Sequence, residues 1–158
     1  MNLFLDCEFN GHGGELISLA LAAPDGKHWY GIWPLALDKL NPWVTQNVVP
    51  VLNAMPTTLE LETGEQFTAE TLRFSLHEYL HFRSGAIVYA DWPDDFAHLM
   101  RIMSGPSYEK SWIVDIGMQL LIGTDPKPEI PHNALSDAIA LMHWCKANTG
   151  RHPLPGKS

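Results

Sequence analysis

The chain has 158 residues, 46% of them hydrophobic and 18% charged, enough for one domain with a full core. Its formal charge of −8 argues against a protein that grips long duplex nucleic acid by phosphate neutralisation alone, while leaving room for one that holds a few terminal nucleotides. No stretch approaches the ~18–20 apolar residues of a membrane span, no secretory signal pattern is visible, and Cys7 and Cys145 make no disulfide framework, so a cytoplasmic location is expected.

The first predicted element is a strand over Leu3–Phe9, whose near-continuous apolar run reads as buried on both faces. Side chains alternate across a strand, so Asp6 and Glu8 share a face, about 6–7 Å apart along the chain. Two like charges are costly to bury there unless a cation neutralises them. Carboxylate oxygens are the ligands that Mg²⁺ and Mn²⁺ prefer. An edge strand with one wet face is the competing reading. Phe4 on the same face counts against it, but the strand by itself leaves both readings open.

Glu15–Ala22 reads as a second strand and Lys27–Trp33 as a third, joined into a hairpin by Pro24-Asp25-Gly26. Between Pro34 and Thr58, prolines at 34, 42, 50 and 56 alternate with apolar residues and suggest short helical turns. Thr68 can cap a helix reaching Phe82, with Leu72, Leu76, Tyr79 and Leu80 at helical spacing. Gly85–Ala90 is a short apolar strand ending at Asp91, and Pro93 suits the first turn of a helix to about Met103, ended by Gly105-Pro106. Trp112–Ile116 is the candidate fifth strand, followed by a loop with Gly123, Pro126, Pro128 and Pro131. The last helix runs from Asn133 to Asn148, with Ala134, Ala138, Leu141 and Trp144 on one stripe and Gly150 as its stop. Residues 1–150 therefore read as one domain and Arg151–Ser158 as a loose tail. This order predicts an α/β fold with a mixed sheet of about five strands flanked by helices, its sites gathered at strand ends.

Further acids stand at the helix starts: Asp91, Asp94 and Asp95 around one, Asp137 in another, with Asp115 inside the fifth strand. Taken singly, each first-turn acid is explained by the helix dipole. His132 lies five residues before Asp137. It is either a surface loop residue or, if Asp137 holds a metal, a group suited to take a proton from water.

Asp6-x-Glu8, then Asp95 with Leu99 four residues on, then His132-x₄-Asp137 resemble the three motifs of the DEDDh-type 3′–5′ exonucleases, which share the ribonuclease H-like fold. The resemblance spans Leu3 to Trp144, and Ile113-Val114-Asp115 resembles the strand that often follows the second motif. Within the group, the chain is similar to small bacterial and phage exoribonuclease domains. Where many relatives continue with Thr-Thr-Gly, this chain has Phe9-Asn10-Gly11, in which Gly11 fits the pattern. Phe9 is read either as a stacking surface for a base or as plain core.

The resemblance implies two ions, Mg²⁺ or Mn²⁺, held by Asp6, Glu8, Asp95 and Asp137, with His132 as general base and Phe9, Asn10 and Gly11 at the terminal nucleotide. Asp94 is the alternative to Asp95, and Asp91 is expected in an outer role or in contact with substrate. The implied reaction releases nucleoside 5′-monophosphates from single-stranded 3′ ends or overhangs, RNA favoured. A DNA-directed proofreading or repair exonuclease and a non-catalytic nucleic-acid-binding module are the competing functions. Relatives often dimerise. Trp33, Trp43 and Trp112 are interface candidates, with core as the competing reading for each.

Overall fold

A computed structural model describes residues 1–34, 36–58, 68–104 and 114–148. Its strands are β1 (Asn2–Phe9), β2 (Leu16–Ala22), β3 (Trp29–Ile32), β4 (Ala86–Ala90) and β5 (Ile116–Leu120). Its α-helices are α1 (Pro42–Asn47), α2 (Ala69–His81), α3 (Pro93–Ser104) and α4 (Ala134–Ala147), with 3₁₀ turns at Leu37–Lys39 and Val49–Ala54. One mixed sheet takes the order β3-β2-β1-β4-β5. The β3-β2-β1 pairings are antiparallel and the β1-β4-β5 pairings parallel. The chain is thus α/β, with a sheet and flanking helices consistent with a ribonuclease H-like fold. No helix among the described residues is long and apolar enough to cross a membrane.

The alternation of β1 divides the core. Leu3, Leu5 and Cys7 face one way, against Leu72, Leu76 and Leu80 of α2 and Leu99, Ile102 and Met103 of α3. Phe4 faces the other way with Ala20, Ala22, Tyr30 and Tyr89, under Ala134, Leu135, Ala138 and Leu141 of α4. Each fully buried leucine of this kind stabilises the fold by ~1.5–3 kcal/mol. Asp6 and Glu8 continue the Phe4 row. Their partners across the ladder are the small residues Ala20 and Ser18.

β1 is therefore the central strand of the sheet and not an edge strand. It pairs with β4 only over Asn2–Phe4, so its carboxyl half extends beyond that partner. Both parallel strands end at the same edge of the sheet, and α3 starts there, two residues after Asp91.

Side-chain caps fix the helix starts. Thr68 Oγ1 accepts from Thr71 N at 3.1 Å, and Asn41 Oδ1 from Val44 N at 2.9 Å. Asn133 Oδ1 accepts from Ser136 N at 3.2 Å. The same Asn133 amide donates to Val51 O at 2.8 Å and reaches Tyr30 Oη at 3.3 Å, tying the start of α4 to the 3₁₀ segment and to β3.

The fifth strand departs from expectation. It runs Ile116–Leu120, whereas the apolar run at Trp112–Ile116 predicts it earlier. β5 is an edge strand whose Gly117, Met118 and Leu120 are exposed, so backbone pairing to β4 rather than burial places it. Asp115 stands before the strand, exposed, and its carbonyl accepts from Gly85 N at 2.7 Å. Gly105-Pro106, Trp112-Ile113, Gly150 and the tail Arg151–Ser158 lie outside the described residues.

Candidate active site

Carboxylates from β1, α3, α4 and the turn between β4 and α3 meet at the carboxyl end of β1. Asp6, Glu8 and Asp137 offer oxygens that all lie within 4.8 Å of one another, and so do Asp6, Asp91 and Asp95. Asp6 belongs to both groups. Asp137 arrives because α4 packs its Ala134–Ala138 turn closely on β1 and β2. Asp95 arrives because Leu99, one helical turn later and fully buried, faces that side of α3 into the core.

Asp94, the alternative for the second motif, is in neither group. Its Oδ2 lies 3.1 Å from His12 Nδ1. Asp91 stands closer to the other acids than its expected outer role requires, with Thr124 Oγ1 donating to its Oδ2 at 2.8 Å. The register of β4 against β1 puts it there, and the sequence carries no direct sign of that register.

Burial and mutual repulsion act together on this cluster. Asp6 is raised well above the usual carboxylate range, first by burial and then by Asp95, Asp137, Glu8 and Asp91. Glu8 is pushed up to about 8 by burial and by Asp137. Asp95 reaches about 8 through burial, Asp91 and Glu8, against the pull of the Cys7 backbone N–H. Asp137 reaches about 6 through burial and Asp91, while the backbone N–H groups of His132 and Asn133 pull it down.

None of the five acids has a Lys, Arg or His partner within 4.0 Å among the described residues. Asp95 is 1% exposed, yet its Oδ2 has no hydrogen-bond partner. A buried carboxylate oxygen without a donor is costly, and a hard divalent cation satisfies it. The residues present therefore fit a divalent metal.

The repulsion predicts a pH effect. Acids whose folded pKa is raised destabilise the fold by a penalty that is absent below the ordinary carboxylate range, grows from there to about pH 8, and is constant above it. In chelator, the thermal midpoint is expected to fall on the order of 5–10 °C between about pH 5 and about pH 9. Saturating Mn²⁺ should remove most of that fall. Thermal melts in both conditions check it, and equal slopes would show that the acids do not share a cation.

His132 is exposed and in neither acidic group. Its backbone is left-handed, with φ 64°, and its ring stands edge-on to Trp43 with centroids 5.0 Å apart. Trp43 is 53% exposed and lines a groove of about 390 Å³ with Glu8, Phe9, Gly11 and Asn41. Sequence reasoning weighed Trp43 as core or interface, not as a wall beside Glu8. Trp33, by contrast, packs half-buried against the core.

Phe9 is half-buried, stacked on His98 with centroids 5.0 Å apart, and still lines that groove. The side chain of Asn10 is engaged by the protein itself. Its Nδ2 donates to Lys39 O at 3.0 Å, and its Oδ1 accepts from Asn41 N at 2.8 Å, fastening the start of α1 to the strand end. Gly11 has φ 77°, which a side chain would strain.

No protein-family model matches the chain, and no curated protein matches it.

Proposed function

We propose that the chain is a divalent-metal-dependent 3′–5′ exonuclease of DEDDh type, releasing nucleoside 5′-monophosphates from single-stranded 3′ ends, with RNA the favoured substrate. The observation that carries this reading is Asp6, shared by two groups of carboxylates that lack a cationic side-chain partner among the described residues. Asp6, Glu8 and Asp137 would hold one divalent ion, and Asp6, Asp91 and Asp95 a second. When bound, two such ions activate water and stabilise the attacking and leaving oxygens of an in-line phosphoryl displacement.

The chain's own groups supply the rest. Through an imidazole nitrogen, His132 takes the proton of the attacking water. Its edge contact with the Trp43 ring, which lines the groove beside Glu8, supports that role. Trp43 and Phe9 wall the groove beside Glu8, where an unstacked base finds apolar surface. Asn10 acts by positioning that wall. A reducing cytoplasm suits two free, buried thiols at Cys7 and Cys145.

Strands labelled at the 3′ or the 5′ end, in RNA and DNA form, test the reading with Mg²⁺, Mn²⁺ or chelator. The expected result is release of 3′-terminal monophosphates only with divalent ion, faster from RNA. Faster turnover of DNA would move the assignment to a DNA-directed exonuclease. Binding without turnover of either would make the chain a non-catalytic module, and chelator-resistant hydrolysis would remove the metal from the account.

A further inference from the structure

A second groove, of about 450 Å³, opens on the α2–α3 side of the sheet. Arg73, Arg101, His98 and Trp33 line it, with Gly13 and Gly14 of the β1–β2 connection at its rim. The Phe9–His98 stack stands between it and the groove beside Glu8: Phe9 lines one and His98 the other.

The charge here reverses that of the whole chain, which carries ten Lys and Arg against eighteen Asp and Glu. Arg73 is half-buried and its Nε donates to Ile102 O at 3.0 Å, which fixes the plane of its guanidinium. Neither Arg73 nor Arg101 has a carboxylate within 4.0 Å among the described residues, although Glu15 also lines the groove. Elsewhere the chain does pair its arginine: Arg83 lies 3.7 Å from Asp25 and over the Tyr79 ring. Guanidinium forks match phosphate oxygens in geometry and charge. The tight rim depends on Gly14, where a Cβ would collide with the Asn10 carbonyl.

We propose that this groove binds a phosphate group of a nucleotide, held by Arg73 and Arg101 with Trp33 as its apolar wall. Two sources share that chemistry. One is a phosphodiester of a strand whose 3′ end sits at the acids; this source rests on the nuclease reading. Arg101 lies six residues after Asp95 on α3, about 9 Å along the helix axis, within reach of such a strand. The other is a free nucleoside 5′-monophosphate, which needs no nuclease activity.

The test is amide and arginine Nε NMR on the whole chain in chelator, titrated with a nucleoside 5′-monophosphate and with a single-stranded RNA. The expected shifts concentrate at Gly13, Gly14, Arg73 and Arg101. Arg101→Glu, at an exposed position, should abolish them while leaving the remaining spectrum unchanged, and Arg101→Lys should retain them in part. Tighter binding of the strand, with a salt slope that drops by about 1 in Arg101→Ala, assigns the backbone of a strand. Equal affinity for strand and monophosphate assigns the free nucleotide. Shifts that are absent at these four residues, or that survive Arg101→Glu, overturn the proposal. Turnover is scored separately: an inactive chain that keeps the Arg101-dependent shifts loses the nuclease reading alone, and an active chain without them loses this site alone.

Discussion

Asp6→Asn is expected to abolish divalent-dependent hydrolysis and, at the same time, to raise the thermal midpoint of the metal-free chain. The two effects have one cause. Asp6 is the carboxylate common to both acidic groups, so its loss removes a ligand from each. In the absence of metal, burial first, and then Asp95, Asp137, Glu8 and Asp91, disfavour the ionised form of the same carboxyl. A neutral amide of the same shape escapes that penalty, and each pKa unit relieved is worth ~1.4 kcal/mol. A gain of several degrees in chelator near neutral pH is therefore the expected size. In the comparison set, Asp95→Asn and Asp91→Asn should also lose activity, whereas Asp94→Asn, beside His12 and outside both groups, should keep it. Activity that survives in Asp95→Asn but not in Asp94→Asn would reverse the choice between them. A lower midpoint for Asp6→Asn would mean that its charge already has a partner.

His132→Gly is expected to lower the catalytic rate by ~10²–10⁴-fold, the usual contribution of a general base, with divalent binding largely kept. Glycine is the informative substitution because His132 has φ 64°, a conformation that glycine adopts without strain. The turn that aims the His132 and Asn133 backbone N–H groups at Asp137 is then retained while the imidazole is lost. His132→Ala would combine loss of the ring with a strained backbone. Steady-state rates near neutral pH, together with Mn²⁺ titration, check the result. Near-normal turnover in the glycine variant would reduce His132 to a turn residue that serves Asp137 through its main chain.

The central strand was legible because two signals coincide there. Leu3, Leu5 and Cys7 alternate with Phe4, and the two acids continue the Phe4 row. The starts of α2 and α3 were equally legible, since Thr68 and Pro93 are residues whose local chemistry favours those positions. β5 lies later than its apolar run suggests, because such a run is a sign of burial and an edge strand is held by backbone hydrogen bonds that leave little mark on composition. Within the site, Asp6 and Glu8 announce themselves by period, and Asp95 through Leu99. Asp91 does not, because its position depends on which rung of β1 meets β4. Trp43 is hidden for a similar reason: its exposure beside Glu8 follows from the Asn10–Asn41 clamp, a contact between residues 31 apart. The arginine groove joins residues from α2, α3 and the β1–β2 connection, so no local pattern contains it.

The position of Asp137 on α4 also bears on synthesis. Asp6 is made before α4, which follows every strand of the sheet. At ~5–20 residues per second, the interval between Asp6 and Asp137 is on the order of ten seconds. Throughout it the nascent chain has Asp6 and Glu8 but lacks the helix that completes their group and covers Phe4 and Tyr30. Under the proposed function, an enzyme that degrades RNA would be inert over that interval. It would gain its full set of acids only once residues 134–147 have docked.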